Sequence, residues 1–188
     1  MKVRTMSISD VFHVKECNRR NLPENYHIMF LLYMITMYEE CCFVAENNKG
    51  DIIGYSITKL KDHIEKDEKI STDDVSGYIM SVAVDEAYRN RGLGKILLAA
   101  SLHGVVRKLR SRKIGAFKVY LNVRVSNTSA IDMYKNTFKF SEEGEDADYY
   151  SNGESALLMS RVFNSNESER TSEGKCADQM DTKDKHRV

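Results

Sequence analysis

Apolar positions along the chain follow two periods, one typical of strands and one typical of helices. Short or alternating apolar runs predict seven strands, at residues 3–6, 43–46, 52–60, 79–84, 117–124, 138–143 and 155–163. Spacings of three and four predict four helices, starting at Ser7 with a capping-box-like Asp10, then at about 27–40, 94–112 and 126–134. The order βααβββαβαββ predicts an α/β (α+β mixed) fold, a central mixed sheet with helices on both faces.

Two segments depart from this simple patterning. The predicted helix over residues 27–40 is apolar nearly all round, whereas a helix at a domain surface needs only one apolar stripe. The surplus indicates either deep burial or a face reserved for a partner protein. Residues 61–77 carry mixed charges with little pattern, which predicts a solvated, mobile loop.

Composition sets the domain limits and excludes several classes of protein. Residues 164–188 are dominated by Ser, Glu, Asp, Lys and Thr, which predicts one domain over 1–163 followed by a disordered polar tail. A net charge of zero argues against a general nucleic-acid or membrane-surface role. The longest apolar run, residues 28–35, falls far short of the ~20 residues of a membrane-spanning helix.

The cysteines and the N-terminus indicate the compartment. Cys17, Cys41, Cys42 and Cys176 lack CxxC spacing and a paired framework, which fits reduced thiols in the cytoplasm or nucleus. No signal peptide is visible, because the first residues run straight into patterned sequence. We therefore expect a soluble intracellular domain.

A glycine-rich loop within residues 78–98 joins a predicted strand to a long helix. The free amides and the dipole of a first helical turn favour an anion, and glycine lets a phosphate approach the main chain. Arg89, Arg91 and Lys95 add positive charge beside it. The loop therefore predicts a pyrophosphate cradle, although an ordinary strand-to-helix turn with solvated arginines would carry the same residues.

The motif in this loop excludes two kinds of phosphate site. A P-loop needs Ser or Thr after Gly-Lys, and here Ile96 follows Gly94-Lys95. A dinucleotide-binding fingerprint needs a third glycine, and Leu97 stands in its place. The pattern that remains is Arg89-x-x-Gly92-x-Gly94.

This pattern resembles the acetyl-CoA pyrophosphate loop of the GNAT superfamily of N-acetyltransferases, whose element order is also the one predicted here. Further segments, in register, are similar to the catalytic subunits of the eukaryotic N-terminal acetyltransferase A (NatA) complex. They are Leu22-Pro23-Glu24-Asn25-Tyr26, the strand at 79–84, Arg124-Val-Ser126-Asn127-x-x-Ala130-x-x-x-Tyr134 and Tyr149-Tyr150-x-x-Gly153-Glu154. The resemblance covers about residues 1–162.

The resemblance implies acetyl-CoA as the cosubstrate, with no metal. Its pantetheine arm would pair with the strand backbone where the sheet opens, its pyrophosphate would lie on the glycine loop, and Asn127 would hydrogen-bond the pantetheine amides. The implied contacts are Val82, Ala83, Val84, Arg89, Asn90, Arg91, Gly92, Leu93, Gly94, Lys95, Asn127 and Tyr134.

The resemblance also implies three catalytic residues. Glu24 would take the proton of the acceptor amine, directly or through water, and Arg124 would orient Glu24 or its neighbours. Tyr134 would protonate the departing CoA sulfur. From the residues alone, Glu24 is equally an exposed loop carboxylate, Tyr134 a packing residue and Asn127 a helix cap.

The acceptor site implied by the resemblance comes from two loops. Leu22, Glu24 and Tyr26 would shape a small pocket for the first residue. Tyr149 and Tyr150 would hold the peptide backbone with their hydroxyls, although they could be ordinary aromatic residues at a strand edge.

The sequence departs from the relatives in three places. Asn122 stands where they often have a histidine, and because Asn is no base near neutral pH, a histidine-based proton relay is in doubt. The charged segment at residues 61–77 is longer. Asp85-Glu86-Ala87 replaces the basic cluster that some animal relatives carry, which leaves nuclear import unsupported.

The function implied is acetylation of the N-terminal α-amine of nascent chains that begin with a small residue such as Ser or Ala, by direct transfer without an acyl-enzyme. A large helical-repeat auxiliary subunit would dock at residues 22–38 and connect the chain to the ribosome. Two alternatives stay open: an acetyltransferase of the same fold that acts on lysine or a small amine, and a non-catalytic CoA-binding subunit.

Overall fold

The elements follow the predicted order in a computed structural model, which describes residues 1–62 and 75–164. The strands are β1 (Lys2–Thr5), β2 (Cys42–Glu46), β3 (Ile52–Asp62), β4 (Val75–Val84), β5 (Ala116–Arg124), β6 (Ser141–Asp146) and β7 (Ala156–Asn164). The helices are α1 (Val11–Asn21), α2 (Ile28–Met37), α3 (Leu93–Ser111) and α4 (Thr128–Asp132). The predicted mixed α/β architecture is confirmed.

The strands form one sheet in the order β1-β2-β3-β4-β5-β7-β6. β4 and β5 are parallel, and the other neighbours are antiparallel. On one face, buried residues of α1 and α2 such as Val14 and Leu31 share a core with Tyr55 and Ile57. On the other face, residues of α3 such as Leu98 pack with residues of β5 and with the segment after α4. The predicted placement of helices on both faces therefore holds.

The sheet opens between its two parallel strands. Residues 76–79 of β4 pair with residues 118–121 of β5, and the pairing ends there. Beyond that point β4 stays paired with β3 as far as Val84, and β5 stays paired with β7 as far as Arg124. Residues 80–84 and 122–124 therefore border a cleft.

The strand ends differ from the prediction on both sides of the charged segment. β3 extends to Asp62 and β4 begins at Val75, so residues 61, 62 and 75–77 belong to strands and their assignment to a loop was wrong. The reason is burial: Val75 lies in the core, and a Cβ on Gly77 would lie 3.1 Å from Val119. The rest of the predicted loop, residues 63–74, lies outside the described residues.

Other boundaries shift by a few residues. β7 ends at Asn164, and the remainder of the predicted disordered tail, residues 165–188, lies outside the described residues. β6 begins at Ser141 instead of residue 138, because Phe138 and Phe140 turn into the core before the strand starts. α2 ends at Met37, followed by a 3-10 turn, Glu39–Cys41.

Gly104 lets α3 approach this turn closely. A Cβ at Gly104 would lie 1.8 Å from the Glu40 carbonyl oxygen, so no other residue fits without moving the backbone. Ser101, one turn earlier, donates a hydrogen bond to the Cys41 carbonyl at 3.0 Å. No described helix combines the length and apolarity that crossing a bilayer requires.

A charged cluster fixes the start of α1, where the predicted capping box of Ser7 and Asp10 is present. Arg4 donates to both carboxylate oxygens of Asp10, at 2.6 and 2.8 Å, and to Glu46 at 2.8 Å. The Asp10 carboxylate also accepts from the Ser7 amide at 2.8 Å. These contacts, Arg4 first, lower the pKa of Asp10 from 3.8 to about 2.

We expect Asp10→Asn to cost about 1–2 kcal/mol of unfolding free energy at pH 7, after allowing for solvent screening of Arg4. Because the folded-state pKa is the lower one, this contribution is complete above pH 3.8 and is lost as the pH falls toward 2. Urea titrations at pH 7 and at pH 3 measure it, with the exposed Glu86→Gln as the control. A difference that does not shrink at pH 3 would contradict this account.

Candidate active site

The predicted pyrophosphate loop lies between β4 and α3, at the mouth of the cleft. Gly92 is the N-cap of α3 and has φ +80°, in the left-handed region, and Asn90 has φ +60°. A Cβ on Gly92 would meet nothing within 4 Å, so glycine is needed there for its conformation rather than for space. Since Gly92 has no side chain to cap the helix, the amides of the first turn face an open approach.

The cations of this loop divide into two kinds. Arg89 donates to the Val84 carbonyl at 2.9 Å and to the Asn21 side chain at 2.9 Å, so it braces the loop against β4 and α1. Arg91 lies over the Tyr88 ring, 5.8 Å from its centre, and is exposed, as is Lys95. Arg91 and Lys95 are therefore the cations of this loop that are available to bind an anion, while Arg89 fixes the conformation of the loop.

The predicted strand contacts line the open edge of β4. Ala83 is buried in the core on the α1 face of the sheet, whereas Val82 and Val84 are half-buried on the α3 face. The Tyr26 hydroxyl donates to the Met80 carbonyl at 2.8 Å, where the cleft begins. The glycine loop, the strand edge and the 22–26 loop thus meet along one cleft.

Asn18 holds the 22–26 loop in place from inside α1. It is fully buried, and its side-chain amide donates to the Glu24 carbonyl at 3.0 Å and to the Tyr55 hydroxyl at 2.9 Å. Its side-chain oxygen accepts from the Tyr26 amide at 3.1 Å. Sequence reasoning missed this residue. The signal was an Asn four residues after Val14, on the apolar face of a helix, where a polar group needs partners.

Arg124 links the 22–26 loop to the segment between β6 and β7. Its guanidinium forms ion pairs with Glu24 and, at 2.5 Å, with Glu154. It also lies over the Tyr150 ring, 3.8 Å from the centre. The structure therefore brings Arg124 and Glu24 together as the resemblance implies, while the roles assigned to them stay predictions.

Glu154 belongs to the quoted tyrosine motif, but sequence reasoning gave it no role. Its carboxylate accepts from the amide and the hydroxyl of Ser126, at 3.1 and 2.5 Å, in addition to Arg124. Ser126 first, then Arg124, lowers the pKa of Glu154 to about 2. Glu154 thus remains an anion that balances Arg124 and fixes its direction toward Glu24.

The paired tyrosines stand above this ion pair. Tyr149 and Tyr150 meet edge to face, with ring centres 5.0 Å apart. Tyr149 is 49% exposed, whereas Tyr150 is half-buried and burial raises its pKa to about 12. Leu22, on the opposite side, is half-buried against the α1–α2 core. The role of these side chains and of Tyr26 in binding an acceptor peptide stays a prediction.

Asn127 caps a helix and Tyr134 packs in the core, which are the structural roles that the residues alone would predict for them. The Asn127 side-chain oxygen accepts from the Ala130 amide at 3.2 Å and caps α4, which leaves its amide group able to donate to a ligand. Tyr134 is buried in a π-helical turn, with its ring edge-on to Phe140 at 6.0 Å, and burial raises its pKa to about 12. A role for either group toward acetyl-CoA stays a prediction.

Comparisons with known proteins agree with this geometry. The family model of the Acetyltransferase (GNAT) family matches residues 10–140. The chain is 35% identical over 163 residues to the N-terminal acetyltransferase A complex catalytic subunit ard1 of Schizosaccharomyces pombe, covering 87% of this chain and 86% of that protein. It is 36% identical over 158 residues to an N-alpha-acetyltransferase of Sulfurisphaera tokodaii, covering 84% and 90%.

Among solved structures, the crystal structure of the NatC complex bound to Gag peptide and CoA matches with a TM-score of 0.72 and 21% identity. The match covers 87% of this chain and 98% of that one. At this identity it supports the fold.

We expect Asn18→Leu to lower the unfolding free energy by about 2–4 kcal/mol, because it removes a buried side chain that hydrogen-bonds both the Tyr26 amide and the Glu24 carbonyl. Urea denaturation measures the loss. Asn25→Leu makes the same change at an exposed position of the 22–26 loop and should stay within about 0.5 kcal/mol. Equal effects of the two substitutions would show that the buried hydrogen bonds do not stabilise the loop.

Proposed function

The chain belongs to the acetyltransferase (GNAT) family and, within it, to the N-alpha-acetyltransferases, and from that premise we propose its substrates, mechanism and partner. It transfers acetyl from acetyl-CoA to the α-amine of peptide N-termini whose first residue is small, such as Ser or Ala. The observation that carries the proposal is the cleft between β4 and β5. It has an anion-binding helix start at one end and the Glu24–Arg124 ion pair at the other.

The residues on the donor side fit acetyl-CoA. Gly92, Leu93, Gly94 and Lys95 would present amides and positive charge to its diphosphate, with Arg91 beside them. Main-chain groups of residues 82–84, on the strand edge that β5 leaves unpaired, would pair with the pantetheine arm and polarise the acetyl carbonyl. When bound, acetyl-CoA supplies an acyl group already activated as a thioester.

The residues on the acceptor side fit a peptide N-terminus. The Glu24 carboxylate, held by Arg124 and anchored through Asn18, would take the amine proton directly or through water. Leu22 and Tyr26 would shape a pocket for a small first side chain, and Tyr149 and Tyr150 would hold the peptide backbone. The Tyr134 phenol, whose raised pKa keeps its proton in place at neutral pH, would protonate the leaving sulfur.

Direct transfer, without an acyl-enzyme, is supported by the state of the described cysteines. Cys17, Cys41 and Cys42 are all buried, and burial raises the pKa of each to about 12. A thiol in that state is a poor nucleophile near neutral pH. The acceptor amine would therefore attack the thioester itself.

The partner proposal rests on an apolar face of α2, which we define as Met29, Tyr33 and Met37. These side chains are 63, 53 and 57% exposed. On α2 they recur every four residues, while Leu31, Met34 and Ile35 between them are buried, so α2 serves both the core and an outer surface. The S. pombe relative is the catalytic subunit of a complex. The occupant we propose is the large helical-repeat auxiliary subunit, which would bring the chain to the ribosome in the cytoplasm.

Glu24→Gln is expected to lower kcat by about 100-fold, because general base catalysis is lost while the loop keeps its shape. Acetyl transfer to peptides starting with Ser, Ala, Thr, Gly, Met-Leu, Asp or Glu measures it, together with an N-terminally blocked peptide that offers only lysine. Glu145→Gln, an exposed carboxylate on β6, serves as the control. Labelling of the blocked lysine peptide alone would point to a lysine acetyltransferase, and acetyl-CoA binding without any transfer to a non-catalytic subunit.

Tyr33→Glu and Met37→Glu are expected to weaken binding of the auxiliary subunit from the same organism at least about 30-fold, since each places a charge in an apolar contact. Calorimetry with the two purified proteins measures this. Val162→Glu changes an equally exposed apolar residue, 52% accessible, on β7 and should bind normally. Acetylation by the isolated chain should be unchanged in all three. Normal binding of Tyr33→Glu and Met37→Glu would reject this face as the docking surface.

A further inference from the structure

A series of hydrogen-bonded side chains connects β4, β5 and β6 on the face of the sheet opposite α3. None of the roles assigned so far involves this series. The Tyr78 hydroxyl, on β4, donates to the side-chain oxygen of Asn122, on β5. The Asn122 side-chain amide in turn donates to Asp146, the last residue of β6, at 3.1 Å. The Tyr149 side chain also lies next to the Tyr78 hydroxyl. We call these four residues the Tyr78–Asn122 link.

The link stands at the point where the cleft begins. Tyr78 is opposite Tyr120, and the next pair, Ile79 and Leu121, is the last of the parallel pairing. Ile79 and Leu121 are buried on the α3 side, so the alternation of a strand places Tyr78 and Asn122 on the other face. They are half-buried there, two residues before Met80 and Arg124, which contact the acceptor loops.

The link ends at the connector between β6 and β7, residues 147–155, which carries the paired tyrosines: Asp146 directly precedes the connector and Tyr149 lies within it. β6 is the last strand of the sheet, and all of its residues are exposed. Because the described residues place no strand beyond β6, the position of the connector depends on contacts with the neighbouring strands. Asp146 and Tyr149 provide two of these contacts through the link, and Arg124 provides others at Tyr150 and Glu154.

The chemistry of the link suits holding rather than proton transfer. An Asn side chain does not relay a proton near neutral pH, and it has one acceptor and one donor group, both used here. Burial, and then Tyr149, raises the pKa of Tyr78, so its hydroxyl keeps the proton that it donates. The link therefore keeps one hydrogen-bonding pattern throughout the working pH range.

We propose that Tyr78 and Asn122 are positioning residues that hold the connector against the sheet so that Tyr149 and Tyr150 close over the acceptor peptide. This inference rests on the proposed function, because a bound peptide gives the closure its purpose.

The test combines hydrogen–deuterium exchange with steady-state kinetics on the full chain. Tyr78→Phe and Asn122→Ala should each speed exchange in residues 147–155 while leaving α3 as protected as before. The peptide KM should rise about five- to twenty-fold, as the loss of one or two hydrogen bonds predicts, with kcat and the KM for acetyl-CoA within about twofold. The double variant should resemble the more affected single variant, because both remove the same link.

Two controls separate the link from general packing. Tyr120→Phe removes the same hydroxyl from the paired position on β5, where the ring contacts Lys118, and should behave as the unaltered chain. Asp146→Asn keeps an oxygen that accepts from Asn122 and should retain most of the peptide affinity, whereas Asp146→Ala should not.

Each outcome bears on one of the two proposals. Unchanged exchange of the connector in both Tyr78→Phe and Asn122→Ala would overturn the inference, as would a fall in kcat at constant peptide KM. Exchange reports on the connector without any turnover. Faster exchange in these variants, from a chain that acetylates no peptide N-terminus, would uphold the link and reject the proposed function.

Discussion

The early end of the pairing between β4 and β5 is the constraint on which the rest of the structure depends. The two strands pair over four residues each, then follow different neighbours, β3 and β7. The register between β3 and β4 shifts at the same level, where Met80 is opposite no residue of β3 and its carbonyl accepts from Tyr26. An extra residue in one strand bends it and increases its twist. The bend turns toward the cleft those backbone groups that would otherwise pair with a neighbouring strand.

An opening in the middle of a sheet leaves backbone polar groups with few partners. Buried polar side chains supply hydrogen bonds around it. Asn18 satisfies the backbone of the 22–26 loop, and Tyr55 carries the network on to Ser81, on β4. On the far side, Arg124 shares its guanidinium between Glu24 and Glu154. Each network is stabilising only when every member is present, because a buried group that loses its partner keeps its full desolvation cost.

The last turn of α1 joins the two ends of the cleft. Asn18, in that turn, holds the acceptor loop, while Asn21 accepts from Arg89 of the glycine loop and donates to Asp85. Arg20 adds an ion pair with Asp85 at 2.8 Å. The glycine loop and the 22–26 loop are therefore anchored to one helix, which fixes the distance between them, as a reaction that depends on close positioning requires.

The element order, the fold class and the family could be predicted from the sequence by itself because their signals are local. The period of apolar residues determined the element order and the two-sided sheet. The glycine loop predicted an anion site, and short motifs containing Glu24, Arg124, Asn127, Tyr134 and the paired tyrosines indicated the family. Only the tertiary structure decided the contacts between them. Asn18 meets Tyr55 across 37 residues, Tyr78 meets Asn122 across 44, and Arg124 meets Glu24 across 100. The strand ends at 61–62 and 75–77, and the division of α2 into buried and exposed faces, were likewise decided by packing. Periodicity and turn chemistry act over a few neighbouring residues, whereas a hydrogen-bond partner or a buried face is supplied by whichever distant segment the fold brings near.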